Sequence, residues 1–267
     1  MTYAEVNLVA SIARLSGREL AALTDEQRDQ FDQFHAGGAE AVGRLLPHLG
    51  LGPAMTVLDV GCGLGGPARQ VARSARCTVV GVDITPAYVQ AAQELTENTG
   101  LDDRVHFECT DVAALEPTGF DAAYTMHVQM NVADKRTFFA EIAARLRPGG
   151  RLAVFEVCRA GAAEPQPPLP WSIDGTDSYL VTPDQLRSTI ESSGFDLVEW
   201  VDETEWVRQW FAGAARRAAA EGGEASLRGL LDDGPTRMFN YAAAIANGIV
   251  SIHRGSFTVT AAMRGFD

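Results

Sequence analysis

The chain has 267 residues, a formal net charge of −13 and 46% hydrophobic residues. That length suits one α/β domain with additions, and that apolar content allows a sizeable core. Lys135 is the only lysine, and so acidic a chain is poorly equipped to neutralise a phosphate backbone, which argues against a nucleic-acid partner. No run reaches the ~18 apolar residues of a membrane span, and the N-terminus lacks a charged-then-apolar signal pattern. A cytoplasmic protein with reduced thiols, and no membrane partner, is expected. Cys62, Cys77, Cys109 and Cys158 are scattered beside apolar runs without C-x-x-C or zinc spacing, so they read as buried thiols and no metal is expected.

Residues 1–50 read as a helical cap. Thr24–Gln27, "TDEQ", is a capping box, with Phe31 and Phe34 following it. A second helix runs from about Gly38 to Leu49, with Ala41, Val42, Leu45, Leu46 and Leu49 on one face. A core over 51–203 then alternates strand and helix. "MTVLDV", "CTVVGVD", "RVHFECTD", "FDAAYTMHV" and "RLAVFEVC" read as strands. Between them lie helices such as "TPAYVQAAQELTENTG", with Thr85 as N-cap, Pro86 at N1 and Gly100 as terminator. Short links between alternating elements predict a parallel sheet covered on both faces.

The Pro- and Gly-rich stretch 159–179 reads as a long surface loop. A capped helix, "TPDQLRSTIESSG", and a sixth strand, "FDLVEWVDE", follow it. Residues 204–250 read as a helical lid broken at Gly222–Gly223 and Gly234–Pro235, and 251–267 as the last strand of the core, over Ser256 to Met263.

The first strand runs into "VLDVGCGLGGPAR", which places Gly61, Gly63 and Gly66 in G-x-G-x-x-G spacing. Such a turn lets backbone N–H groups meet a pyrophosphate, or lets a cofactor without phosphate lie against the backbone. Three acids favour the second use. Asp59 lies two residues before Gly61, where a carboxylate repels a diphosphate and suits a cation. Asp83 ends the second strand, where an acid accepts from ribose hydroxyls. Asp111 follows the third strand, placed to accept from an adenine amino group while Val112 packs the ring. The row suits an adenosine carrying a positively charged amino-acid tail, which describes S-adenosylmethionine (SAM).

"VLDVGCGLGG", "VVGVDIT", "CTDV", "FDAAYTMHVQM" and "LRPGGRLAVFEV" occur in the order and spacing of class I SAM-dependent methyltransferases, and the chain resembles that family over about residues 55–158. "DQFHAGG", Asp32 to Gly38, is similar to a segment before the fold in small-molecule members. "GCGLGGPAR" resembles the loop of sterol and tocopherol C-methyltransferases. Those enzymes carry an acid near the end of strand four, whereas "MHVQMN" here has none. The resemblance implies a Rossmann-like, seven-stranded, mostly parallel sheet with an antiparallel last strand, a helical cap and a helical insertion. It also implies that Asp59, Gly61 and Gly63 hold the methionine part, and Asp83 the ribose. Ile84, Asp111 and Val112 would face the adenine, with Met126 and His127 beneath the sulfonium.

Methyl transfer chiefly requires alignment of the acceptor and exclusion of water; a base is needed only where the acceptor must lose a proton. His127, at the carboxyl edge of strand four, and His35, in the cap, are the candidate catalytic groups. Gln129 is a candidate substrate contact. His48 and His253 read as surface residues, and His106 as pointing outward from strand three. Phe34, Trp171, Tyr179, Trp206 and Trp210 are candidate walls of an acceptor pocket; Tyr3, Phe31, Phe211, Phe239 and Tyr241 are further aromatics of the same inserts.

The expected function is a SAM-dependent methyltransferase acting at N, O or C of a small, partly apolar metabolite. Arg-rich, Lys-poor composition with much Ala points to a GC-rich bacterial genome and specialised metabolism. Competing readings are a SAM-binding enzyme that catalyses a cyclisation or rearrangement without methylating, an NAD-dependent oxidoreductase, and a non-catalytic SAM-binding subunit. A homodimer is one expectation for the assembly.

Overall fold

The computed structural model describes residues 5, 7–97, 99–221 and 226–260. Three helices come first: α1 (Leu8–Ser16), α2 (Asp25–Asp32) and α3 (Gly38–Leu49). The alternating unit follows as β1 (Thr56–Val60), α4 (Gly66–Ala75), β2 (Thr78–Asp83), α5 (Pro86–Thr96), β3 (Val105–Cys109), β4 (Phe120–Met126), α6 (Lys135–Arg145) and β5 (Leu146–Arg159). The chain closes with α7 (Pro183–Ser192), β6 (Phe195–Asp202), α8 (Thr204–Glu221), α9 (Leu227–Leu230), α10 (Gly234–Ala246) and β7 (Val250–Val259).

The seven strands form one sheet in the order β3-β2-β1-β4-β5-β7-β6. All pairs from β3 to β5 are parallel, and β7 runs antiparallel between β5 and β6. Strand residues alternate between two apolar cores, as a pleated sheet covered on both faces requires. Val57, Ala122, Ala153 and Phe155 enter one core with Leu45 of α3 and Val71 of α4. Leu58, Ala123, Leu152 and Val154 enter the other with Phe139 of α6 and Ile190 of α7. A third cluster joins Leu8, Ile12 and Phe31 of the N-terminal helices to Leu64, Tyr88 and Leu230. The capping box at Thr24–Gln27 is formed in both directions, and so is a second one at Thr182–Gln185.

Several expectations need correction. The last strand begins at Val250 and ends at Val259, earlier than expected; Met263, Tyr3 and Gly222–Gly223 lie outside the described residues. Gly234 and Pro235 start α10, because Pro suits a first helical turn whose N–H groups lack partners anyway. The α5 helix ends at Thr96, before Gly100. His253 is buried and stacked on Trp200 at 5.5 Å, since β7 lies inside the sheet rather than at its edge. His48 is half-buried against Arg254 and Glu199. The 159–179 stretch is no mere surface loop: Leu169, Trp171 and Ser172 are buried in it. Cys109 is exposed. No helix among the described residues is long and apolar enough to cross a membrane.

Candidate active site

The turn between β1 and α4 has unusual backbone. Gly61 has φ +78°, and a Cβ there would stand 2.4 Å from Cγ2 of Val128. Gly63 has φ +53° and faces open space at the cavity wall. Four N–H groups of the turn are committed within the protein. Gly61 and Cys62 donate to the Val82 carbonyl at 2.8 and 3.0 Å, and Gly65 to that of Cys62 at 2.9 Å. Gly63 donates to Oδ2 of Asp83 at 3.0 Å. A diphosphate cradle needs such groups free and aimed at the ligand.

A cavity of about 360 Å³ opens along the carboxyl ends of the strands. Gly61, Gly63, Asp83, Ile84, Asp111 and Val112 line one end. Asp83 also accepts from Thr85 N–H at 2.9 Å, which leaves lone pairs on both oxygens. Asp111 caps the short turn 112–114 through Oδ1, by accepting from Ala113 N–H at 2.8 Å. Ile84 is 72% exposed, an apolar side chain without a protein partner for most of its surface. Asp59 lies beneath the turn, off the cavity wall, and accepts from the Tyr124 hydroxyl at 2.8 Å. Burial pushes its carboxyl up to about 7, and the Tyr124 hydrogen bond works in the opposite direction.

Met126 and His127 line the middle of the cavity. His127 has φ +57°, so its backbone turns sharply out of β4. Its Nδ1 stands 3.0 Å from the Phe155 carbonyl, which can only accept, so Nδ1 carries the proton. Nε2 is therefore an acceptor, and it receives Ala36 N–H at 3.2 Å and the Tyr241 hydroxyl at 2.8 Å. Burial holds the ring down to about 4. This imidazole is neutral, and its one lone pair is occupied. His35 differs. It is buried on the cavity wall, both its ring nitrogens lack a hydrogen-bond partner in the protein, and burial holds it well below the usual histidine range.

Phe34 and Trp171 also line the cavity. Four other sequence candidates lie off its wall. Gln129 is buried and donates to the Val157 carbonyl at 2.5 Å. Tyr179 points outward, 42% exposed. Trp206 packs into the space left by Gly37 and under the Arg44 guanidinium, and Trp210 lies over Gly38.

Three further residues shape the site. Tyr88 and Tyr241 line the cavity; Tyr241 was legible only as one aromatic among many, because its partner His127 is 114 residues away. Glu156 of β5 is fully buried, and its carboxylate accepts from Thr125 Oγ1 at 2.5 Å, Val128 N–H at 3.0 Å and Gln129 N–H at 3.3 Å. Glu156 thus holds the turn after β4 from beneath and does not line the cavity. Burial pushes it up to about 7.

A seven-stranded sheet of this order, with cavity-facing acids at the ends of successive strands, defines a Rossmann-like methyltransferase fold. Comparisons agree. The profile of a methyltransferase domain matches residues 57–150. Methyltransferase GfsG of Streptomyces halstedii is 29% identical over 66% of this chain and 66% of its own length. O-methyltransferase cnsE of Penicillium expansum is 33% identical over 64% of each. The chain thus spans just under two thirds of these two curated relatives. The crystal structure of the [4+2]-cyclase SpnF superposes with a TM-score of 0.64 at 26% identity, covering 83% of this chain and 81% of that one. The chain is similar to class I SAM-dependent methyltransferases and carries the methyltransferase domain over residues 57–150, and SAM is the cofactor of that family. The residues present fit that cofactor: open space over Gly63 and acceptor oxygens on Asp83 and Asp111.

Proposed function

We propose that this chain transfers the methyl group of SAM to a small, partly apolar metabolite. The carrying observation is the glycine turn, where four N–H groups, those of Gly61, Cys62, Gly63 and Gly65, are committed within the protein while Asp83 and Asp111 offer oxygens to the cavity. Asp83 would accept from the ribose hydroxyls, and Asp111 from the adenine amino group. Ile84 and Val112 would cover the faces of the adenine. Gly61 and Gly63 let the methionine part lie close to the backbone, and Asp59 supplies negative potential beneath it. Met126 and His127 form the floor under the sulfur. Bound there, SAM supplies a methyl carbon on a sulfonium, a leaving group that needs no acid.

The protein's contribution is alignment and the exclusion of water. His127 orients; with its lone pair occupied it takes no proton. His35 is the ring left with nitrogens to offer, and in its neutral form it has one donor and one acceptor for the acceptor molecule. Phe34 and Trp171 supply apolar wall. No acceptor contact is proposed for Gln129, Tyr179, Trp206 or Trp210.

A second reading rests on the likeness to SpnF together with the lack of a free lone pair on His127: a cyclisation in the same cavity with SAM bound and unconsumed. Incubation with methyl-labelled SAM and panels of neutral alcohols, phenols and amines separates the two. Label in product together with S-adenosylhomocysteine supports transfer, and substrate consumed without S-adenosylhomocysteine supports cyclisation. If neither SAM nor S-adenosylhomocysteine binds, both readings fail.

A further inference from the structure

The acceptor end of the cavity, formed by Phe34, His35, Tyr88, Met130, Trp171 and Tyr241 with apolar neighbours, contains no Lys or Arg among the described residues that line it. The acids lining the cavity as a whole, Asp83, Asp111, Asp134 and Glu141, outnumber its cations, of which the described lining has none. Arg237, on the same helix as Tyr241, is buried and already committed to Glu5 at 3.1 Å and to the carbonyls of Leu169 and Pro170. An anionic group entering here would meet no cationic side chain, and desolvating it without one is costly.

Tyr241 adds a directional rule. Its hydroxyl proton is directed to His127 Nε2, because Nδ1 of that ring is held as a donor by the Phe155 carbonyl. The Tyr241 oxygen can therefore only accept from a ligand. His35 and Tyr241 flank His127, with ring centroids 6.2 and 6.1 Å from it. We infer that Tyr241 determines specificity: it accepts a hydrogen bond from a hydroxyl or amine of an uncharged, otherwise apolar acceptor, and the wall around it rejects anionic ones. This rests on the methyltransferase reading above and narrows its substrate class. The donor group read by Tyr241 orients the molecule, whichever atom takes the methyl.

The test uses the whole chain saturated with S-adenosylhomocysteine and three probes sharing one ring system: naphthol, methoxynaphthalene and naphthyl phosphate. Saturation itself is measured first, and its failure removes the methyltransferase reading rather than this inference. The expected order is naphthol tightest, methoxynaphthalene roughly ten-fold weaker for want of a donor, and naphthyl phosphate weakest. Tyr241→Phe keeps the ring packed against Trp171 and Phe211, and should erase the gap between naphthol and methoxynaphthalene while leaving S-adenosylhomocysteine affinity unchanged. A purely packing role for Tyr241 would not alter that ratio. Naphthyl phosphate binding as tightly as naphthol, an unchanged gap in Tyr241→Phe, or no binding by any probe overturns the inference.

Discussion

Asp32 and Arg69 form a buried ion pair at 2.6 Å that fastens the last residue of α2 to the helix behind the glycine turn. Arg69 also donates to the carbonyls of Leu64 and Ala92 and to Thr96 Oγ1, at 2.7, 3.2 and 2.8 Å. One guanidinium thus ties cap, turn and α5 together. Burial still pushes Asp32 up to about 6, against the pull of Arg69.

Arg69→Met should therefore destabilise the chain by about 3–5 kcal/mol, the usual range for breaking a buried pair. The loss should depend on pH. Without Arg69 the Asp32 carboxyl climbs above its present value of about 6, so near neutral pH the variant must bury a bare charge or take up a proton. In more acid solution the wild-type carboxyl is protonated too, and the difference narrows. Urea denaturation of both proteins at about pH 8 and about pH 5 measures this; a difference that widens in acid would contradict the assignment.

Asp59 carries a second pH dependence. Its carboxyl lies at about 7 in the free protein, chiefly through burial. A cation placed above it favours the ionised form, so binding at lower pH must also remove a proton. The affinity for SAM should fall by up to roughly ten-fold per pH unit below neutrality and level off above it. Asp59→Asn should bind SAM more weakly, with a flat profile over the same range. Calorimetric titration at several pH values checks both, and an equally steep profile in Asp59→Asn would place the titrating group elsewhere.

Residues written into local sequence were the legible ones. The glycine turn, Asp83, Asp111 and His127 all sit at strand ends, and strand ends are marked by apolar runs giving way to turns. Helix phase and long-range docking were not marked. Trp206 and Trp210 look like pocket walls until Gly37 and Gly38 are seen to make room for them on the cap. Phe34 falls beyond the end of α2 at Asp32, and it lines the cavity where Phe31 is buried in the cap cluster. Glu156 could not be read as the support of the turn after strand four, because it comes from the next strand and its partners lie 27 to 31 residues away.

His35 and His127 should separate in mutagenesis. The His35 ring makes no hydrogen bond within the protein, so His35→Phe removes an unpaired buried imidazole and should change stability by less than about 1 kcal/mol. Turnover should nevertheless fall on the order of 100-fold if the ring handles the acceptor. His127→Asn keeps a residue type that tolerates the left-handed backbone at this position. It breaks the contacts with Phe155, Ala36 and Tyr241, and should cost about 2–3 kcal/mol. Thermal melts and initial rates on the same preparations decide; a His35→Phe variant with full turnover would leave His35 a packing residue.

Gly61 and Gly63 should fail in different ways when changed to Ala. At Gly61 the added methyl meets Val128 at 2.4 Å and the backbone has φ +78°. Overpacking and left-handed strain then add, for a loss of about 2–4 kcal/mol. At Gly63 the methyl meets nothing within 4 Å and only the strain at φ +53° remains, about 1–2 kcal/mol. The Gly63 methyl, however, would project into the cavity where the methionine part is proposed to lie. Gly63→Ala should therefore lose more S-adenosylhomocysteine affinity than stability, by roughly ten-fold or more. Gly61→Ala should show the reverse balance, and Val128→Ala in the same chain should restore part of its stability by removing the methyl groups in its way. Melting curves and binding titrations on the three proteins give both quantities. Unaltered affinity in Gly63→Ala would mean that the cofactor does not pass over this turn, and the proposed placement of its amino-acid tail would fall with it.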